Sequence, residues 1–255
     1  MRLDKEIYEG YHTCNHRRLY CKYSRHVTPS VILIAGLGDS CDTWNEVQER
    51  IAQETSTFSY DRAGLGRSQE APVPRTCLDL VEELAGLLST LDVKPPYLVV
   101  GHSFGGLVAR LYASLYPHTI FGMILVDAAP EYKELVYEKV LSGKLAAKNR
   151  EYYENPMRNS EKIDKIKSYQ QIVDHTGQGN YPLSIIIRGL PDEGSADWPS
   201  QEILEIEQRL QADFKRLSTA SKVRVATYSG HYIHHDEPEI VIEEILMMVR
   251  GWRNL

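Results

Sequence analysis

The chain has 255 residues, 42% of them hydrophobic and 25% charged, with a formal net charge of −6 at pH 7. That balance suits one soluble α/β core, excludes a disordered tract, and offers no positive field for phosphate backbones, so nucleic acid is not expected as a partner. No apolar run reaches membrane-spanning length, and the opening Met1-Arg2-Leu3-Asp4-Lys5-Glu6 carries charges where a secretory signal needs an apolar stretch; a cytoplasmic protein without membrane insertion is expected.

The cysteines Cys14, Cys21, Cys41 and Cys77 show no CxxC spacing and no histidine pair beside them, so neither structural zinc nor a disulfide framework is expected. Cys41 lies close to a segment assigned below to the site and reads as a packed residue rather than a reactive thiol.

In chain order, residues 18–23 alternate with period two and read as an early, partly exposed strand. Further runs follow at 31–35, 58–60, 97–100, 123–126, 184–187 and 223–228, mostly short, β-branched and apolar enough to be buried on both faces. Between them, residues 79–91 place Leu80, Leu84, Leu87, Leu88 and Leu91 on one helical stripe, and 240–252 repeat the pattern. Strands alternating with helices imply a parallel sheet flanked by helices. From 130 to 182 the strand pattern gives way to amphipathic stretches at 134–148 and 161–173. The reading is a core of 1–129 and 183–255 carrying a helical lid inserted at 130–182.

Gly101-His102-Ser103-Phe104-Gly105 joins a strand to a helical run. Small residues around Ser103 permit the sharp turn that lifts a serine hydroxyl above the edge of a sheet, and the following helix points its N-terminal amides at the same spot. A serine hydroxyl is a poor nucleophile at neutral pH, so it requires a histidine base oriented by a carboxylate. His231, in Ser229-Gly230-His231, is the first imidazole after the last strand and is the base expected here. His234 and His235 adjoin Asp236-Glu237-Pro238 at the start of the final helix, which suggests a surface or capping role. The acid is expected after residues 184–187, where Gly189-Leu190-Pro191-Asp192 offers Asp192; Glu193, Asp197 and Asp127 are the alternatives. The backbone amides of Phe104 and of Leu37, in Gly36-Leu37-Gly38-Asp39, are the candidate donors to an oxyanion. Residues 60–68 contain a Gly-x-Gly but no third glycine at dinucleotide spacing, and read as a structural turn bounded by Asp61 and Ser68.

Taken together, Gly36-Leu37-Gly38, Asp61-Arg62-Ala63-Gly64-Leu65-Gly66-Arg67-Ser68, Gly101-His102-Ser103-Phe104-Gly105-Gly106, Val126-Asp127-Ala128, Gly189-Leu190-Pro191-Asp192 and Gly230-His231 resemble the α/β-hydrolase superfamily over nearly the whole chain. The likeness is to its small esterase, lactonase and aminopeptidase branch. The resemblance implies an α/β-hydrolase fold with a mostly parallel eight-stranded sheet, a helical cap after the sixth strand, and no cofactor or metal. Two departures stand out: Ala35 replaces the histidine that many relatives carry before the oxyanion glycine, and Ser103 occupies the position where epoxide- and halide-cleaving relatives place aspartate.

The function expected is therefore that of a carboxylesterase-like serine hydrolase, with Ser103, His231 and Asp192 cleaving an ester, lactone or thioester of a small molecule. Two alternatives stay open. An aminopeptidase or amidase would need a lid carboxylate for the substrate amine, from Glu131, Glu134, Glu138, Glu151 or Glu154; a ligand-binding signalling protein would keep the site but turn over slowly. Tyr132, Tyr137, Tyr152, Tyr153, Tyr169 and Tyr181 either line a pocket or pack the lid onto the sheet.

Overall fold

In the computed structural model, which describes residues 6–175, 177–195 and 197–254, the apolar runs become strands of one sheet. These are β1 (Ile7–Cys14), β2 (Arg17–Ser24), β3 (Ser30–Ile34), β4 (Ser56–Tyr60), β5 (Tyr97–His102), β6 (Ile120–Val126), β7 (Gly179–Arg188) and β8 (Ser218–Ala226). Their order in space is β1-β2-β4-β3-β5-β6-β7-β8. β1 pairs antiparallel with β2, and β2 with β4, whereas every pairing from β4 and β3 through to β7 and β8 is parallel. Seven of the strands coincide with runs read from the sequence. β1 is the addition: on the sheet edge its residues are half-buried or exposed up to the buried Cys14, so it lacks the continuous apolar run of a doubly covered strand. The charged residues 1–5 lie outside the described ones.

The helices are α1 (Asn45–Ile51), α2 (Cys77–Thr90), α3 (Gly105–Leu115), α4 (Lys133–Tyr137), α5 (Gly143–Glu154), α6 (Lys165–His175), α7 (Ser200–Ala212), α8 (Ile233–Asp236) and α9 (Pro238–Arg253). Strand periodicity divides the core in two. Ile32, Ile34, Val99, Leu125 and Ile185 face one side with the buried stripe of α2 and the apolar face of α3. Val31, Leu33, Leu98, Val100, Ile124 and Ile186 face the other, with residues of α1 and α9. A capping box fixes the start of α2, where Thr76 Oγ1 and the Thr76 amide both donate to Asp79 Oδ2 at 2.7 Å. Leu80, Leu84 and Leu87 then sit one above another, fully buried; each contributes roughly 1.5–3 kcal/mol.

Helices α4, α5 and α6 all lie between β6 and β7. The second half of this insertion is stitched to the core. The Arg75 amide donates to Lys162 O (3.2 Å) and the Asp164 amide to Arg75 O (2.8 Å), and the Cys77 and Leu78 amides donate to Ser168 Oγ and Gln171 Oε1, each at 3.0 Å. Those last two bonds satisfy the otherwise orphan amides that open α2. Tyr153, Ile163, Tyr169 and Ile172 join the same apolar cluster as α2 and α3. Among the described residues, no helix is long and apolar enough to cross a membrane.

Candidate active site

β5 ends at His102 and α3 begins at Gly105, which leaves Ser103 and Phe104 to turn the corner. Ser103 takes the left-handed backbone conformation, φ 50°, a geometry that costs a non-glycine residue roughly 1–3 kcal/mol and persists only where its surroundings hold it. Here they do. The Ser103 amide donates to Val126 O (3.1 Å), and Ser103 O accepts from the amides of Gly106 (3.0 Å) and Ala129 (2.9 Å). The neighbouring glycines are demanded by close approach. A Cβ on Gly105 would stand 2.4 Å from Ile34 O, and one on Gly106 2.4 Å from the Ala128 Cβ.

Beyond the corner stands His231, on the loop between β8 and α8. Its Nε2 is 3.0 Å from Ser103 Oγ and its Nδ1 is 2.6 Å from Asp127 Oδ2. A carboxylate only accepts, so Nδ1 carries the proton and donates to Asp127, which leaves Nε2 free to accept from the Ser103 hydroxyl. The structure thus brings together Ser103 and His231 as expected, but with Asp127 rather than Asp192 behind the imidazole.

Asp127 follows the last residue of β6 in a left-handed turn, φ 38°, with its amide on Ile186 O at 2.8 Å. Its Oδ1 accepts from Gln211 Nε2 (3.0 Å). Asp192 is drawn elsewhere because Arg188, the last residue of β7, buries its guanidinium beside the site and requires counter-charge. Arg188 Nη1 donates to the half-exposed Asp192, Nη2 donates to Glu207 (2.5 Å), and Nε lies 3.7 Å from Asp127 Oδ2. An acidic residue four positions after a strand-terminal arginine has a local partner, and this was the available sign against Asp192.

The candidate oxyanion donors Leu37 and Phe104 line one cavity with Ser103 and His231. Among the described residues, no backbone or side-chain acceptor takes either amide. Arg62, in the turn read from the sequence as structural, holds the loop from behind by donating to Ala35 O (2.7 Å) and Gly36 O (2.5 Å). Asp61 and Ser68 bound that turn as expected: Asp61 accepts from the Cys41 amide (2.8 Å) and the Arg67 amide (2.9 Å), and Ser68 Oγ donates to Asp61 O (2.6 Å). Cys41 is fully buried, and that burial, with Asp61 alongside, pushes its thiol pKa up, away from reactivity.

His234 departs from its expected surface role. It is fully buried, stacks on Trp44 at 4.3 Å between ring centroids, and its Nε2 lies 2.8 Å from Thr43 Oγ1. His102, also buried, donates from Nε2 to His231 O at 3.0 Å, supporting the loop that carries the base. Burial lowers both imidazoles well below their usual range, reinforced for His102 by His234 and His231 and for His234 by His235 and His231.

The cavity above Ser103 has a volume of 550 Å³, within the range of small-molecule sites. Leu37, Phe104, Ala129, Leu145, Trp198 and Ile203 supply apolar surface, while Lys133, Glu134, Lys165 and Glu207 bring charge from the helices α4, α6 and α7. These charges are paired with one another: Lys165 Nζ with Glu134 (2.7 Å) and Lys133 Nζ with Glu207 (2.6 Å). Burial alone would raise Glu207, but Lys133 and Arg188 hold its pKa at about 2. Tyr137, Tyr152 and Tyr169 face this cavity, whereas Tyr153 packs in the main core and Tyr132 and Tyr181 pack against it. Of the acidic side chains weighed for holding a substrate amine, Glu131 pairs with Arg110, Glu134 with Lys165, Glu138 with Arg150 and Glu151 with Arg158.

Residues 29–161 match the model of the family described as alpha/beta hydrolase fold. The chain belongs to that family. Membership in the alpha/beta hydrolase fold family places it in the hydrolase class. Among relatives, it is 34% identical over 227 residues to the YqjL protein of Bacillus subtilis, covering 83% of this chain and 80% of that one. It is 24% identical over 279 residues to an AB hydrolase superfamily protein of Gibberella zeae, covering 87% and 86%. Among solved structures, Cfl2 of Burkholderia cenocepacia superposes with a TM-score of 0.70 at 19% identity, covering 97% of each chain, which is a likeness of fold.

Proposed function

We propose that this alpha/beta hydrolase family member is a serine hydrolase that cleaves a carboxylic ester-like bond of a small molecule by way of an acyl-enzyme. The observation that carries this reading is the continuous hydrogen-bonded chain from Ser103 Oγ through both nitrogens of His231, at 3.0 and 2.6 Å, to Asp127. As Ser103 Oγ bonds to the substrate carbonyl carbon, its proton passes to His231 Nε2, and Asp127 stabilises the imidazolium. The Leu37 and Phe104 amides receive the negative charge that develops on the carbonyl oxygen. The tetrahedral adduct collapses with the His231 proton leaving on the alcohol or thiol. Water, deprotonated by the same imidazole, then releases the acid.

The substrate is one of modest size with a polar end. Apolar residues surround Ser103, and the paired charges of Lys133, Glu134, Lys165 and Glu207 lie along the wall formed by α4, α6 and α7, a polar surface on which a substrate's polar end finds hydrogen-bonding groups and a purely aliphatic chain gains none. Helices α4 and α5 serve as the lid. Among the described residues, the carboxylates that line the cavity, Glu134, Asp192 and Glu207, are each already paired with a cation, which favours an ester-like substrate over an aminoacyl amide.

The test is a panel of short activated esters, lactones and thioesters with Ser103→Ala as the blank, together with labelling by a fluorophosphonate. Ser103→Ala is expected to lose at least about 10³-fold in kcat and all labelling. Wild-type rates in the Ser103→Ala variant would sink the mechanism, and rapid labelling without turnover of any of the panel would favour a ligand-binding role.

A further inference from the structure

An amide can hold an oxyanion only if its peptide plane is fixed before the charge arrives. The Leu37 N–H belongs to the same planar trans peptide as Gly36 C=O, so the two point in opposite directions. Gly36 O accepts from Arg62 Nη2 at 2.5 Å and, within the turn, from the Asp39 amide at 3.2 Å, and these two bonds together hold the Leu37 N–H toward the cavity that Leu37 and Ser103 line. The next peptide is pinned as well. Its Gly38 N–H donates to Glu161 Oε1 at 2.8 Å. Glu161 also receives Arg62, whose Nε donates to Oε2 (2.8 Å) and Nη2 to Oε1 (2.5 Å), and both side chains are only 2% exposed. One carboxylate from the insertion therefore orients the guanidinium and the loop together, 99 residues from Arg62 in sequence. Gly38 adopts φ +85°, and a Cβ there would stand 2.6 Å from Ser160 Oγ, the neighbour of Glu161.

We infer that Glu161 is a positioning residue of the oxyanion hole, acting through Arg62 and the Gly38 amide, so that the segment before α6 is a fixed part of the catalytic frame. This rests on the serine-hydrolase reading for its catalytic consequence, but not for its structural one. Glu161→Gln keeps the size and one acceptor but offers Arg62 an N–H₂ and no charge. Glu161→Asp keeps the charge but is one methylene short of spanning both partners. In wild type, Gly38 should be protected from hydrogen exchange. In both variants its exchange should accelerate while β5 amides stay as slow as before.

With a short activated ester, kcat of Glu161→Gln should fall about 10²-fold, as for loss of one oxyanion donor, with KM little changed. Affinity for a trifluoromethyl ketone, which forms a tetrahedral adduct, should fall by the same factor as kcat/KM. Affinity for the planar methyl ketone should not. Glu161→Asp should melt near wild type yet still lose kcat. Unchanged Gly38 exchange in both variants, or equal loss of affinity for the two ketones, would overturn the inference. If wild type neither labels with a fluorophosphonate nor turns over, the hydrolase reading fails and the Gly38 exchange alone decides the role of Glu161.

Discussion

The two walls of the cavity are made from different physics. The floor, with Ser103, Asp127 and His231, hangs from the ends of β5, β6 and β8, strands of a sheet whose interior is packed with aliphatic side chains. The opposite wall is built from α4, α6 and α7, and its interior holds charges: Lys165, Glu134 and Glu207 are 5%, 2% and 7% exposed, and Lys133, half-buried, pairs with Glu207. Apolar burial is non-directional and supplies most of the stability. Buried ion pairs bear a desolvation cost that roughly cancels their attraction, but each fixes a direction. The sheet therefore provides a rigid frame, and the charged wall provides orientation.

The largest effect expected lies on the floor. Asp127→Asn should lower kcat by about 10³–10⁴-fold by leaving His231 without its anionic partner, whereas Asp192→Asn should stay within about tenfold; steady-state kinetics on one ester compares them, and a reversed order would restore Asp192 as the acid. On the charged wall, Lys165→Met leaves Glu134 buried without a counter-charge and should cost about 3–5 kcal/mol in urea unfolding. The double variant Lys165→Met/Glu134→Leu should regain most of that loss. If it does not, the pair stabilises the fold as such, and the contrast between the walls dissolves. Within the sheet, Leu125→Ala should cost about 2–5 kcal/mol with KM unaltered, because its side chain lies in the core away from the cavity. A changed KM would show that the frame is not separate from the wall.

The smallest effect expected is that of pH. His102 and His234 have folded-state pKa values lowered below 6.5, with burial the first cause in each. The unfolded chain therefore binds more protons as pH falls through 6.5, and stability declines in that direction by at most about 1.4 kcal/mol per pH unit for each residue. Melting temperatures taken from pH 7.5 to 5.5 should fall, and His102→Asn should flatten the slope. A slope unchanged in that variant would remove His102 from the account.

What the sequence made legible follows from locality. The turn at Ser103 is written in adjacent small residues, and His231 is the first imidazole past a strand, so both could be placed from short segments. The acid could not, because the choice between Asp127 and Asp192 depends on which strand end faces His231 and on where Arg188 turns its guanidinium. Arg62 and Glu161 were out of reach for the same reason: nothing near either residue in sequence announces the other. His234 reads from its neighbours as a surface residue because its partner Trp44 arrives from the opposite end of the chain. β1 escaped notice because an edge strand need not be apolar on both faces.

The single guanidinium of Arg188 touches the neighbourhood of Asp127 on one side and Glu207 on the other, and Glu207 carries Lys133 and Tyr137 of the cavity wall. Reactivity and substrate choice are in this way wired through a common node. A substitution at Glu207 that retunes the pocket also disturbs the carboxylate behind the base, and Leu145 and Trp198 pack against the cluster that contains Tyr137, so the chain's room to acquire new substrates lies at exposed lining residues such as Lys148.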